Sequence, residues 1–143
     1  MKQKIVSAAI ILDPLGRIFA TQRGYGQWKD YWEFPGGKLE PGETPEQAII
    51  REIWEELEVH IEIDSFAQIV EWDYPDFHLV LHCFFCHITE GSPKLLEHEA
   101  ARWLSRDELG SVNWLPADKE LIEKLQNESY KLGGGCRREQ SRG

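Results

Sequence analysis

The stretch TPEQAIIREIWEEL, Thr44 to Leu57, constrains the fold more than any other part of this 143-residue chain. Thr44 offers an N-capping hydroxyl, Pro45 takes the first helical position, where its missing N–H costs nothing, and Gln47 stands where a capping box needs an amide. Ala48, Ile49, Ile53 and Leu57 recur at helical spacing, which predicts a helix from about Pro45 to Leu57 with a buried apolar stripe. Glu52, Glu55 and Glu56 share the neighbouring surface, and like charges this close oppose folding unless a cation sits among them. Arg51 offsets part of the repulsion through a pair with Glu55. A hard divalent cation, Mg²⁺ or Mn²⁺, would remove the rest, because such ions prefer oxygen ligands. A solvated helix face is the plainer reading of a glutamate run. The Gly36–Gly37 turn just upstream weighs against it, since glycine lets backbone approach a ligand and its carbonyl can act as a donor. Carboxylates and a metal beside such a turn suit phosphoryl chemistry.

A formal net charge of −9 repels nucleic-acid backbone and bare membrane, so no nucleic-acid polymer and no membrane is expected as partner. A small phosphorylated ligand stays open, because a metal ion reverses the local potential. The N-terminal apolar stretch is short and runs into a turn, and no run is long enough to span a bilayer, which gives a cytoplasmic expectation. The length suits a single domain, placed at residues 1–131, with a glycine-rich, basic tail at 132–143 expected to be disordered. A monomer is expected, with a dimer as the alternative.

The apolar runs KIVSAAIIL and RIFATQR flank DPLG and read as a hairpin. HIEIDSFAQIVEW and HLVLHCFFCHIT flank DYPDF and read as another. A short strand at Arg102–Leu104, a helical turn at RDELG and a second helix from Pro116 complete a mixed sheet packed against helices. Cys83 and Cys86 are three apart on a strand, so they face opposite ways and should form neither a disulfide nor a shared metal site.

Gly37, Glu43 and the run REIWEELEV stand at the spacing of a longer pattern, and on these residues the chain resembles the Nudix hydrolase family. RIFATQR, EFPGGKLEPGETPEQA, YPDFHL and PADKELIEKL are similar to segments of its MutT-type branch. The final glycine of the signature is absent and Glu58 stands there. A left-handed helix end would cost Glu58 about 1 kcal/mol, or the helix stops by another geometry.

The resemblance implies an α/β/α sandwich with a mixed β-sheet and a Mg²⁺-dependent nucleoside triphosphate pyrophosphohydrolase. It further implies metal-binding roles for the Gly36 carbonyl, Glu52, Glu55, Glu56 and Glu97, with Glu52 also matched to a base. Glu97 and Glu99 are alternatives for the base. Glu43 and Arg51 match a pair that ties the catalytic loop to the helix, and Arg23 and Lys38 match phosphate-binding positions. Glu40, Glu46 and Glu62 read as solvated.

Asp118 stands where the MutT-type branch carries an asparagine that reads the purine edge and where a CTP-cleaving branch carries aspartate. Capping a helix is its plainer role. Phe34, Phe77 and Trp32 are either stacking surface for a base or core; Asp76 and His78 flank a hairpin turn, and His78 and His82, which share a strand face, read as structural or rim positions. When ionised, Asp118 accepts and does not donate, which favours a base that offers donors, such as cytosine or guanine. Oxidised dGTP is the leading substrate expectation, with CTP or a modified dCTP as the close alternative and an inactive nucleotide-binding module as a third reading.

Overall fold

The structure, a computed structural model, describes residues 2–96 and 98–127. Strand β1 (Lys2–Ile11) is central: it pairs in parallel with β6 (Phe77–Glu90) and antiparallel with the three-residue β4 (Gly36–Lys38). Beyond β6 lies β5 (His60–Asp73), giving a mixed sheet in the order β4-β1-β6-β5. A smaller antiparallel sheet runs β3-β2-β7, from Trp32–Glu33, Ile18–Arg23 and His98–Leu104.

The continuous apolar run of β1 is explained by burial on both of its faces. Ala8, Ile10 and Leu12 join one core cluster with Leu121, Ile122 and Leu125 of α2 (Pro116–Asn127). Ala9 and Ile11 join a second with Ile49, Ile53 and Leu57 of α1 (Pro45–Leu57). The result is an α/β/α sandwich. Cys83 falls in the first cluster and Cys86 in the second, so the two thiols do face opposite ways. Both are free, and burial pushes both thiols well above their ordinary pKa.

The capping box at Thr44 forms in both directions: Gln47 N–H donates to Thr44 Oγ1 at 3.1 Å, and Thr44 N–H donates to Gln47 Oε1 at 3.0 Å. At the other end Glu58 adopts φ 55° and ψ 41°, so the glutamate is held in the left-handed conformation. Its N–H donates to the Trp54 carbonyl, while Lys94 N–H reaches the Leu57 carbonyl at 2.8 Å. Lys94 Nζ also pairs with Glu58 Oε1 at 3.2 Å. Tertiary structure thereby satisfies helix-end carbonyls that a glycine motif would have served locally.

The expected β5–β6 hairpin forms, turning through Tyr74–Phe77. The first hairpin does not form as expected. The turn at Asp13–Arg17 is present and Leu12 bridges Ile18, but β1 and β2 belong to different sheets. β2 pairs instead with β3 and β7, so the turn carries the chain from one sheet to the other. The strand expected at Arg102–Leu104 extends to His98–Leu104, and RDELG lies in a 3-10 helix at Arg106–Ser111. The tail at 132–143 lies outside the described residues.

Candidate active site

A cavity of about 560 Å³ opens over the α2-facing side of the main sheet. One end is formed by β4 and the C-terminal half of α1, through Gly36, Gly37, Lys38 and Glu56. The other is formed by β2, β3 and the start of α2, through Arg23, Glu33, Phe34 and Asp118.

At the β4–α1 end, Arg51 organises the carboxylates. Its Nε and Nη2 grip Glu43 at 2.6 and 2.9 Å, its Nη1 donates to Glu52 at 2.8 Å and Glu55 at 3.0 Å, and Nη2 reaches the Lys38 carbonyl at 3.0 Å. A planar guanidinium can make all these contacts at once, which an ammonium cannot. The hydrogen bonds from Arg51 and from the Glu40 N–H hold Glu43 below its ordinary pKa, and Glu43 and Glu52 in turn raise that of Arg51. Glu43 and Arg51 therefore tie the loop before α1 to the helix.

Gly36 is required by its backbone surroundings, whereas Gly37 sits against the end of the flexible Glu52 side chain. A Cβ at Gly36 would collide with the Ser7 carbonyl, and one at Gly37 would collide with the Glu52 carboxyl group. Glu52 thus lies directly against the glycine turn. Glu56 is buried, 6% exposed, and faces the cavity, whereas the Glu55 side chain is 51% exposed. The donor set, carboxylates beside a glycine carbonyl with no sulfur or imidazole, matches the chemistry of Mg²⁺. Among the described residues no three acidic, His or Cys side chains are grouped closely enough to hold an ion as they stand, because Glu52 and Glu55 turn to Arg51. Glu97 lies outside the described residues, as does the Glu99 side chain.

The opposite end is buried. Arg23 forms a two-pronged pair with Glu33, at 3.1 and 3.2 Å. Burial opposes the charge on Arg23, but the hydrogen bond and the field of Glu33 outweigh it and raise its pKa. Asp118, 5% exposed, is pushed well above the ordinary carboxylate pKa by burial first and by the charge of Glu33 second. A hydrogen bond from the Phe34 N–H and the charge of Arg23 act the other way without reversing the shift. The raised pKa favours the protonated form of Asp118, and a protonated carboxyl presents both a donor and an acceptor.

Phe34 packs on Trp114 with ring centroids 5.0 Å apart while also lining the cavity, so it is core and wall together. Trp32 belongs to the core cluster. Phe77 lines the cavity between Tyr74, at 5.1 Å, and the Lys4 ammonium, at 4.1 Å from its ring centroid. His78 bonds Asp73 at 2.6 Å and Glu71 at 2.8 Å, which makes it a clasp on the hairpin. Sequence reasoning missed Glu33, which no spacing marks, and Tyr74, whose hydroxyl accepts from the Ala117 N–H at 3.3 Å beside Asp118.

The NUDIX domain family matches residues 1–125. The chain belongs to the Nudix family. Its place is in the MutT-type branch, and it is a hydrolase. It is 35% identical over 127 residues to the 8-oxo-dGTP diphosphatase of Escherichia coli (strain K12), covering 88% of this chain and 98% of that protein. It is also 33% identical over 124 residues to the CTP pyrophosphohydrolase of the same organism, covering 86% of this chain and 91% of the relative. The crystal structure of a MutT NUDIX hydrolase from Burkholderia pseudomallei superposes with a TM-score of 0.77 at 28% identity, covering 86% of this chain and 98% of that one.

Proposed function

We propose that this Nudix hydrolase is a Mg²⁺-dependent nucleoside triphosphate pyrophosphohydrolase with oxidised dGTP as its preferred substrate. The observation that carries the reading is the pairing, across one cavity, of a carboxylate-bearing glycine turn with a buried Asp118. The base enters against Phe34 and Asp118, and the phosphates extend toward Gly36–Lys38. Water attacks the β-phosphorus, the bond from that phosphorus to the α–β bridging oxygen breaks, and nucleoside monophosphate and pyrophosphate leave.

The Gly36 carbonyl, Glu52, Glu55 and Glu56, joined by Glu97, are the residues that would hold Mg²⁺. When bound, the ion neutralises the phosphates and stabilises negative charge developing in the transition state. Glu52 accepts the proton of the attacking water. Arg51 and Glu43 hold the loop so that Glu52 keeps its aim, and Lys38 adds positive charge beside the phosphates.

Base choice follows from Asp118. In its protonated form it is the hydrogen-bonding equivalent of an asparagine amide, matching a base edge that offers a carbonyl beside an N–H, as 8-oxoguanine does at O6 and N7. In its ionised form it only accepts, and a cytosine amino group suits it. The 33% identity to a CTP pyrophosphohydrolase keeps CTP as the second reading. A panel of canonical and oxidised nucleoside triphosphates, assayed for monophosphate and pyrophosphate and ranked by kcat/KM, tests both. A preference for CTP reverses the ranking, and absence of turnover with every triphosphate in saturating Mg²⁺ leaves only a binding module.

A further inference from the structure

A single carboxyl, such as that of Asp118, cannot meet every polar group on a base edge. Tyr74 stands beside it. The residue is 8% exposed and lines the cavity together with Ala117 and Asp118. Its place is set from two directions. In the β5–β6 turn, Tyr74 N–H donates to the Phe77 carbonyl at 2.9 Å, and Phe77 N–H donates to the Tyr74 carbonyl at 3.3 Å. The ring stacks on Phe77, with centroids 5.1 Å apart and planes at 28°, and meets Trp28 edge-on at 5.7 Å. The phenol is thus held rigidly by its neighbours. Its oxygen accepts from the Ala117 N–H at 3.3 Å. Ala117 follows Pro116 at the start of α2, where backbone donors have no partner within the helix, so this bond uses the acceptor side of the hydroxyl.

The donor side is not used in this way: among the described residues the Tyr74 O–H donates to no protein group. A phenol carries one donor besides its acceptor lone pairs, and a buried tyrosine hydroxyl ordinarily has a partner. An acceptor engaged by a helix start, with the donor left over at a cavity wall, is the arrangement of a group that meets a ligand. We propose that Tyr74 is a specificity-determining residue whose hydroxyl donates to an acceptor on the base, next to the group that Asp118 engages. This inference rests on the cavity being the nucleotide site and names a second reader of the base within it. The two side chains read a donor and a neighbouring acceptor as a pair. In 8-oxoguanine the N7–H lies between the C6 and C8 oxygens, so Asp118 accepts from N7–H while Tyr74 donates to a flanking oxygen. Guanine has no hydrogen on N7 and presents acceptors along that edge, which leaves the accepting oxygen of Asp118 unmatched. Cytosine fits the pair through its amino group and N3. Tyr74 donates in either protonation state of Asp118, so the pairing does not require the carboxyl to keep its proton.

The test is calorimetric binding of the product monophosphates 8-oxo-dGMP, dGMP and CMP, which needs no hydrolysis. Tyr74→Phe keeps the ring and loses the hydroxyl. It is expected to bind the preferred monophosphate about tenfold more weakly and dGMP within about twofold of the unaltered protein. A purely structural role predicts otherwise: a helix start loosened at Ala117 weakens all three monophosphates alike. Equal weakening, or unchanged affinity for the preferred monophosphate, overturns the proposal. A crystal structure of the unaltered protein with that monophosphate repeats the test without a variant. Tyr74 Oη should lie about 2.7–3.0 Å from a base oxygen or ring nitrogen, and an ordered water taking its proton in place of the base overturns the proposal. Preference of the unaltered protein for CMP refutes the oxidised-dGTP reading, and a tenfold loss of CMP affinity in Tyr74→Phe then still supports the role of Tyr74. Tightest binding of dGMP, or equal affinity for all three, overturns both.

Discussion

The two ends of the cavity use the same ingredients, one arginine and a set of carboxylates, and arrive at opposite protonation behaviour. At the α1 end Arg51 contacts Glu43, Glu52 and Glu55, and hydrogen bonding holds Glu43 charged. At the α2 end Glu33 occupies both prongs of Arg23, and Asp118 is left buried with its pKa raised. Burial decides the difference: a guanidinium that engages several partly solvated carboxylates stabilises anions, whereas one already neutralised does little for a carboxyl sealed from water. One end is thereby prepared for cations and the other for reading hydrogen bonds.

The largest expected break in this comparison is Glu52→Gln. If Glu52 is the group that takes the proton, kcat should fall about 10²–10⁴-fold, with circular dichroism and melting unchanged. A near-normal steady-state rate would remove Glu52 from the mechanism and turn attention to Glu97 or Glu99. Next comes Arg51→Lys, which keeps the charge but loses the fork that spans Glu43, Glu52 and the Lys38 carbonyl. A drop of about a hundredfold in kcat, with KM little altered, is the expected cost of misplacing the loop. Retained kcat would show that charge alone suffices there.

Asp118→Asn probes the other end. Making the donor–acceptor pair permanent should raise the kcat/KM ratio of oxidised dGTP over CTP about tenfold and abolish the dependence of that ratio on pH. The sign in the unaltered protein follows from the raised pKa: as pH climbs through the folded-state pKa of Asp118, preference should move toward bases that donate. The stability linked to this proton is fully present below the unfolded-state pKa and is lost as pH rises through the folded-state value. Denaturant titrations across that interval should therefore show a steeper decline for the unaltered protein than for the asparagine variant. The smallest effect belongs to Glu58→Gly. Relief of the left-handed glutamate is worth about 1 kcal/mol, partly cancelled by loss of the exposed Lys94 pair and by the entropy of glycine. A gain of under about 1 kcal/mol in a melting experiment, with unchanged kcat, would separate the end of the helix from its working face.

Much of the α1 end was legible in the sequence, because a capped helix and a tight glycine turn are local and their residues lie close along the chain. Thr44, Pro45 and Gln47 act within one turn, and Arg51 meets Glu43 only eight positions away. The α2 end was less legible. Asp118 drew notice by its place in PAD, but its partners Glu33, Tyr74 and the Phe34 N–H arrive from β3, the β5–β6 turn and the following segment, so no spacing could assemble them. The exchange of β2 into a second sheet belongs to the same class, since a turn such as DPLG is compatible with either pairing.

By itself, then, the sequence determined where α1 begins, which of its faces is apolar, that Cys83 and Cys86 point apart, and that carboxylates cluster beside a glycine turn, because all of these follow from fixed backbone periodicities. Only the tertiary structure decided that Glu58 is held left-handed with Lys94 nearby, that Glu52 turns to Arg51, and that Asp118 is buried. The protonation state of a carboxyl and the partner of a lysine depend on what distant segments bring alongside and on how much water they exclude, and neither quantity is written in local spacing.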